Sequence, residues 1–222
     1  MTDHRGSEAS EEPVASEFDS PSARRSPNPR GRPPGDTAER TKQALLRSAR
    51  QVFAEYGYHG ATIAEITRRA EVSTPVLYHH FGSKAGLFSA VMAEVTQLLA
   101  ASWGRTIVGT GDLRSKINAM FDSAIDIHAA DPELARFLLV TRIEVTRTPE
   151  LVAVSEYRGF TAELFRSAAL QSGLDAERAS AVAHALAVFF AGLTVIAVAS
   201  PFDYDTAVES LRSLLDSELF DS

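Results

Sequence analysis

The amino-acid sequence predicts an all-α protein of about nine helices, the number left when the breaks below are counted. From Asp36 onward, apolar residues recur at spacings of three and four, the period of one helix face. Alternating apolar and polar runs bounded by turns, the mark of half-buried strands, are absent from the sequence. The punctuation falls at helical lengths: Gly57, Gly82, Gly109-Thr110-Gly111, Asp131-Pro132, Thr148-Pro149, Gly173 and Pro201.

The chain has 222 residues, which allows one or two domains. Hydrophobic residues at 45% and charged residues at 23% are ordinary for a globular protein and exclude a wholly disordered or fibrous chain. With no cysteine, disulfide scaffolds, thiolate zinc sites and cysteine nucleophiles are excluded together. Met1 to Phe18 alternates polar and acidic residues with no continuous apolar run, so no secretory signal is expected and a cytoplasmic location is.

The net charge of −7 conceals a segregation. Residues 1–20 carry −5, residues 21–35 carry +4, residues 36–84 carry +2 and residues 85–222 carry −8. Positive charge collected at one end of an acidic chain suits a protein that meets a polyanion there and nowhere else. Residues 1–35 hold six of the ten prolines and, after Met1, only Val14 and Phe18 as large apolar residues. They cannot bury enough surface to offset ordering entropy, and a disordered tail is expected.

Asp36 or Thr37 is the expected cap of the first helix, whose stripe is Leu45, Leu46, Ala49, Val52 and Phe53 and whose end is Gly57. Thr62 starts a short second helix, with Glu65 at capping-box spacing and Ile63, Ile66 and Ala70 inward. Ser73 caps a third, with Pro75 in its first turn, Leu77 and Phe81 inward, and Gly82 closing it. Ser83 then caps a long fourth helix, 83–103, through Leu87, Phe88, Val91, Val95, Leu98 and Leu99. Two short helices joined by a tight turn and packed on a longer one are the parts of a helix-turn-helix unit, here about residues 63–82.

The run TIAEITRRAEVSTPVLYHHFGSKAGL, Thr62 to Leu87, with Phe53 and Gly57 upstream, resembles the DNA-binding domain of the tetracycline-repressor (TetR) family of transcriptional regulators. The resemblance covers roughly residues 39–99, and its most specific part is Leu77 to Lys84. Glu71 stands where the family usually has glycine, and Ala85 and Gly86 replace the glutamate often found after Ser-Lys. Together with the composition of the tail, the expected organisation is a tail with a basic arm (1–35), a DNA-binding domain (36–100) and, where the resemblance in sequence stops, a ligand-binding and dimerisation domain (104–222). The resemblance also implies a homodimer.

The DNA-reading chemistry is legible from the residues themselves. Ser73, Thr74 and Val76 near the N-terminus of the third helix offer two hydroxyls and an apolar surface for a thymine methyl, which suits base reading in a major groove. Tyr78 and His79 lie a turn further on at phosphate height, and Thr62 and Lys84 sit at helix N-termini, where backbone N–H groups favour phosphate. His80, beside Phe81, is expected to pack between helices. In the tail, Pro29-Arg30-Gly31-Arg32-Pro33 resembles an AT-hook core, able to place Arg30 and Arg32 in a narrow A·T-rich minor groove; a basic linker that meets only phosphate is the alternative.

Beyond residue 104 the breaks define five further helices, with Asp112, Asp131, Thr148, Asp175 and Asp203 as expected caps. Ala179 to Phe202 lacks charge and is long enough to span a bilayer, but His184, Ser180 and Thr194, the abundance of alanine and the lone basic flank Arg178 favour a buried helix and no membrane partner. The last helix, with Ala207, Val208, Leu211, Leu214, Leu215 and Leu219 on one stripe, would pair with it, and two such pairs would form a four-helix bundle between subunits.

A ligand pocket is expected among Trp103, Phe121, Ile125, His128, Phe137, Arg142, Tyr157, Phe160, Phe165, His184 and Phe189, with Arg142 and His128 suited to orienting an anion; a surface pairing of Arg142 with Glu144 or Asp126 is the alternative. Neither a phosphate loop, nor HExxH, nor a nucleophile elbow occurs, and the histidines are scattered, so no enzyme activity, metal or cofactor is expected. The reading is a transcriptional regulator, as a repressor, that binds an inverted-repeat operator in double-stranded DNA as a homodimer and is released by a small, largely apolar effector. The rival classes are a helical scaffold or an enzyme without a DNA role.

Overall fold

A computed structural model describes residues 34–109, 111–145, 148, 151–199 and 203–215. Arg30, Arg32 and the acidic segment before them lie outside the described residues, as do Pro149, Pro201 and Leu219. Among the described residues there are nine helices and no strand. They are α1 (Pro34–Gly60), α2 (Ile63–Ala70), α3 (Thr74–Phe81), α4 (Lys84–Gly109), α5 (Leu113–Ala130), α6 (Pro132–Val145), α7 (Val152–Gln171), α8 (Ala176–Ala199) and α9 (Tyr204–Leu215).

The first helix begins earlier than its expected cap. Pro34 opens it, as proline's fixed φ and missing N–H allow, so Asp36 and Thr37 lie inside the first turns. It breaks at Gly57, where φ is 70° and ψ is 175°, and a further turn carries the chain to Gly60. Thr62 caps α2 by accepting a hydrogen bond from the Glu65 N–H at 3.2 Å. The reciprocal half of the capping box is replaced, because Arg68 and Arg69, three and four residues on, take the Glu65 carboxylate at 2.7 and 2.6 Å. Ser73 caps α3 through its backbone alone; its hydroxyl makes no capping bond.

Asp112, Asp175 and Asp203 cap as the sequence predicts, accepting from the N–H groups of Ser115, Arg178 and Thr206. Asp131 closes α5 before Pro132 opens α6, and its carboxylate pairs with Arg50 of α1. Thr148 does not cap α7, which starts after Leu151. Its side chain is buried and lies 2.6 Å from His59 Nε2, a bond to α1 that replaces the local one.

One continuous apolar cluster runs from Leu45 in α1 to Val208 in α9. Phe53, Phe88, Phe121, Phe137 and Phe165 are its largest fully buried members, each contributing about 1.5–3 kcal/mol on burial. Phe88 joins the two ends of the molecule: its ring meets Phe53 edge-on at 5.2 Å and Phe137 of α6 at 5.9 Å. Helix α6 lies along both α1 and α8, while α7 pairs with α8. In α8, Ala179, Ala183, Leu186, Phe190 and Leu193 face the core at spacings of four and three, and Val188 and Val195 on the other side are exposed. By length and composition two helical stretches, Lys84–Arg105 and Ala176–Ala199, could cross a membrane; both pack against the common core here. In α9, Val208 is buried and Ala207 and Leu211 pack against the same core.

Candidate nucleic-acid interface and ligand cavity

The helix-turn-helix is built on one anchor. Leu77, fully buried, holds α3 against α1 and α4, and Val72 and Phe81 pack partly beside it. With that face committed, Thr74, Tyr78 and His79 are exposed on α3, Tyr78 at 48%. Ser73 is exposed at the helix start, whereas Val76 is half-buried on the flank. His80 is half-buried, its ring 5.9 Å from Phe81, the packing place the sequence suggests.

Turn geometry fixes how α3 leaves α2. Glu71 adopts φ 55° and ψ 37°, the left-handed conformation for which glycine is the usual residue. The turn is closed by the Val72 N–H donating to the Thr67 carbonyl at 3.0 Å and the Glu71 N–H to Arg68 at 3.3 Å. Glu65 ties this pair of helices to α1: it accepts from Arg68 and Arg69, and Arg69 also reaches Glu55 at 2.8 Å. Hydrogen bonds from Arg68 and then Arg69 hold the Glu65 carboxyl down at about 2.

Lys84 stands at the start of α4, but its ammonium is turned inward. It donates to the carbonyls of Ala61 at 3.0 Å and His59 at 3.4 Å and lies 4.7 Å from the centre of the Tyr58 ring. Burial lowers its pKa, opposed by the nearby Glu144 carboxylate. Thr62 is exposed, with its oxygen engaged as the α2 cap. Two cations were not singled out from the sequence: Arg40 and Arg47 of α1 line a cleft shared with Ala70, Glu71 and Val72. Their seven-residue spacing, two helical turns, is the signal that places both on one face.

The second site is a pair of neighbouring pockets among α4–α9, called two lobes below because they share four lining residues. An inner lobe of about 60 Å³ is lined chiefly by apolar residues, with His128, Arg142, Tyr157 and Tyr204 as polar members. An outer lobe of about 610 Å³ opens between α7 and α8 and includes Phe165 and His184. Trp103, Arg142, Tyr157 and Phe190 line both. Burial pushes the Tyr157 hydroxyl up, with Arg142 pulling the other way, and burial then Asp205 push Tyr204 up to about 12, so both stay protonated.

Of the eleven residues expected at a pocket, Trp103, His128, Arg142, Tyr157, Phe165 and His184 line these lobes. Phe121 and Phe137 do not; both are fully buried in the core, Phe137 against Phe88. Ile125 packs against the core away from the lobes, and Phe160 and Phe189 sit one helix position off the lining rows. Phe190 lines both lobes in place of Phe189, because the inward row of α8 runs through 179, 183, 186, 190 and 193. Among the described residues no three His, Asp or Glu side chains are grouped to hold a metal.

An all-helical chain with a helix-turn-helix that presents an unburied polar face, followed by a helical body with pockets between its helices, is the class of DNA-binding regulators. The comparisons with known proteins specify it further. The pattern described as bacterial regulatory proteins of the tetR family matches residues 45–91. The transcriptional activator FasR of Mycolicibacterium smegmatis is 34% identical over 176 residues, covering 74% of this chain and 76% of that one. The transcriptional regulator BetI of Vibrio parahaemolyticus is 29% identical over 191 residues, 80% of this chain and 92% of that one. Among solved structures, the fatty acid degradation regulator FadR from Bacillus halodurans shares the fold with a TM-score of 0.64 at 20% identity, over 80% of this chain and 98% of that one. The chain belongs to the TetR family of bacterial transcriptional regulators, with a DNA-binding helix-turn-helix.

Proposed function

We propose that the protein is a cytoplasmic, non-enzymatic repressor that binds an inverted-repeat operator as a homodimer and is released by a small effector in the α4–α9 cavity. The observation that carries the operator reading is the division of α3: Leu77 is buried, leaving Thr74, Tyr78 and His79 together on the unburied side. Ser73, Thr74 and the exposed edge of Val76 would read bases, while Tyr78 and His79 would meet phosphates. Thr62 and Lys84 would act there through backbone N–H groups at the α2 and α4 starts, Lys84 with the one ammonium N–H its two carbonyls leave over. Arg30 and Arg32, just before α1, would enter the adjacent minor groove.

The exposed side of α8, with Val188 at 71% and Val195 at 46%, supports self-association through α8 and α9. Repression is the reading for the sign of regulation because a dimer seated on a promoter obstructs polymerase; the relative FasR is named an activator. Release requires that effector and DNA weaken one another's binding by the same factor.

Selection from a random duplex library, followed by light scattering of the complex, tests this. The expected result is an inverted repeat bound by two chains, with Val195→Asp, on the exposed side of α8 and outside both lobes, reducing both self-association and DNA affinity. A monomer at micromolar concentration with and without the selected DNA, or failure to enrich any sequence, would overturn it. The sign is read separately, by a reporter placed behind the selected operator: repression is expected, and activation would reverse that part.

A further inference from the structure

Three buried polar atoms around the cavity have no hydrogen-bond partner: Trp103 Nε1, Arg142 Nε and His128 Nδ1. Buried polar groups in folded proteins are paired almost without exception, and leaving one unpaired costs the desolvation of that group. Three around one cavity point to an occupant that satisfies them. Two of the three, the indole and guanidinium nitrogens, can only donate. The occupant must therefore present acceptors.

Charge narrows the class. Trp103 is only 4% exposed, and it and Arg142 line both lobes, so the two donors stand where the lobes meet. The outer lobe adds Arg158 and, among the described residues, no acidic one. In the inner lobe the sole acid, Asp131, is already paired with Arg50 of α1. Among the described residues lining the outer lobe, a guanidinium beside Trp103, Phe165, Phe190 and Ala191 meets no carboxylate, the arrangement that an anionic group completes. The Tyr157 hydroxyl, kept protonated by burial, adds a third donor at the same junction.

We propose that the effector is an apolar monocarboxylate whose carboxylate is held by Trp103 Nε1–H and Arg142 where the two lobes meet, its apolar part filling the outer lobe between α7 and α8. The outer lobe, at about 610 Å³, is of the size that small-molecule sites have. This deepens the proposed effector release and rests on that reading only for the consequence of binding, not for binding itself.

The full-length chain carries its own reporter, since Trp103 is its single tryptophan. Octanoate, octanol and octylammonium, matched in length and differing in head group, are titrated by tryptophan fluorescence and by calorimetry in the absence of DNA. Octanoate is expected to bind about tenfold or more tighter than octanol, with octylammonium weakest. By calorimetry, Trp103→Phe and Arg142→Met should each bring octanoate to within a few-fold of octanol while leaving octanol itself little changed. Equal affinities across the three head groups, preference for the ammonium, or no binding of any at millimolar concentration would overturn the proposal, and none of these results needs a variant to fold. Octanoate binding with the expected head-group preference but no effect on operator affinity would leave this inference standing and remove the release mechanism.

Discussion

Replacing Gly57 by alanine tests the joint between the DNA-binding helices and α6. At φ 70° and ψ 175° the residue occupies a region open essentially to glycine alone, and a side chain there costs about 1–3 kcal/mol of backbone strain. A Cβ would also lie 2.5 Å from Glu144 Oε1 and 3.8 Å from Val140 Cγ1, both on α6. The first of these is the far end of a flexible side chain and can swing aside, so the strain dominates. At about 2–4 °C per kcal/mol for a chain of this size, the melting temperature should fall by roughly 2–12 °C. Melting followed by far-ultraviolet circular dichroism at fixed protein concentration measures it. Two further variants separate the causes. Gly57→Asn should cost as much as alanine, because asparagine tolerates the ordinary left-handed region but not this one. Adding Glu144→Ala to Gly57→Ala should recover only the small steric part. A Gly57→Ala melting temperature within about 1 °C of the parent, or full recovery on truncating Glu144, would refute the reasoning.

Glu71→Gly should stabilise the protein by about 0.5–1 kcal/mol, since relief of the left-handed strain outweighs the added freedom of the unfolded chain; an unchanged or lower melting temperature would count against it. The Glu65 carboxyl, held at about 2 when folded and near 4.3 when unfolded, contributes stability that is complete above the unfolded value and lost as pH falls from about 4.5 to about 2. Glu65→Gln should flatten that part of the acid-melting profile, and a profile of unchanged slope would remove the carboxylate from the account. Gly86→Ala should destabilise, because a Cβ there would stand 2.1 Å from the Phe81 carbonyl oxygen, backbone that cannot swing away; a melting temperature equal to the parent's would contradict it. Arg30→Ala with Arg32→Ala should cost more affinity on A·T-rich than on G·C-rich flanks at one fixed salt concentration, and equal losses would reduce the arm to a phosphate-binding linker.

Much of the fold was legible because its signals are local. Helical spacing, the breaks, and the caps Thr62, Asp112, Asp175 and Asp203 depend on a few neighbouring residues and came out in place. The misreadings occur where a distant partner competes with the local one. Thr148 has the type and position of a cap, yet its hydroxyl is taken by His59, 89 residues earlier in the chain. At Lys84 the helix-start position is as expected, but the turn of its ammonium toward two carbonyls at the α1–α2 connection depends on residues more than 20 positions away and is not legible locally. Register explains the cavity errors: Phe160 and Phe189 differ from the lining residues by one position, about a quarter of a helical turn, which residue type alone does not reveal. On α8 the spacing of Ala179, Ala183, Leu186 and Leu193 does distinguish Phe190 from Phe189 and could have been used.

The central claim is that α3 reads bases while its surroundings hold the backbone, and the base-preference profile of a single variant tests it most directly. The full chain, Thr74→Ala and Lys84→Ala are each taken through selection on a random duplex library at one near-physiological salt concentration. The account predicts that Thr74→Ala changes the preferred base at a symmetric pair of positions in the inverted repeat, while Lys84→Ala weakens binding and leaves the preferred sequence as it was. Identical preferred sequences for the parent and Thr74→Ala, at undiminished affinity, would contradict it.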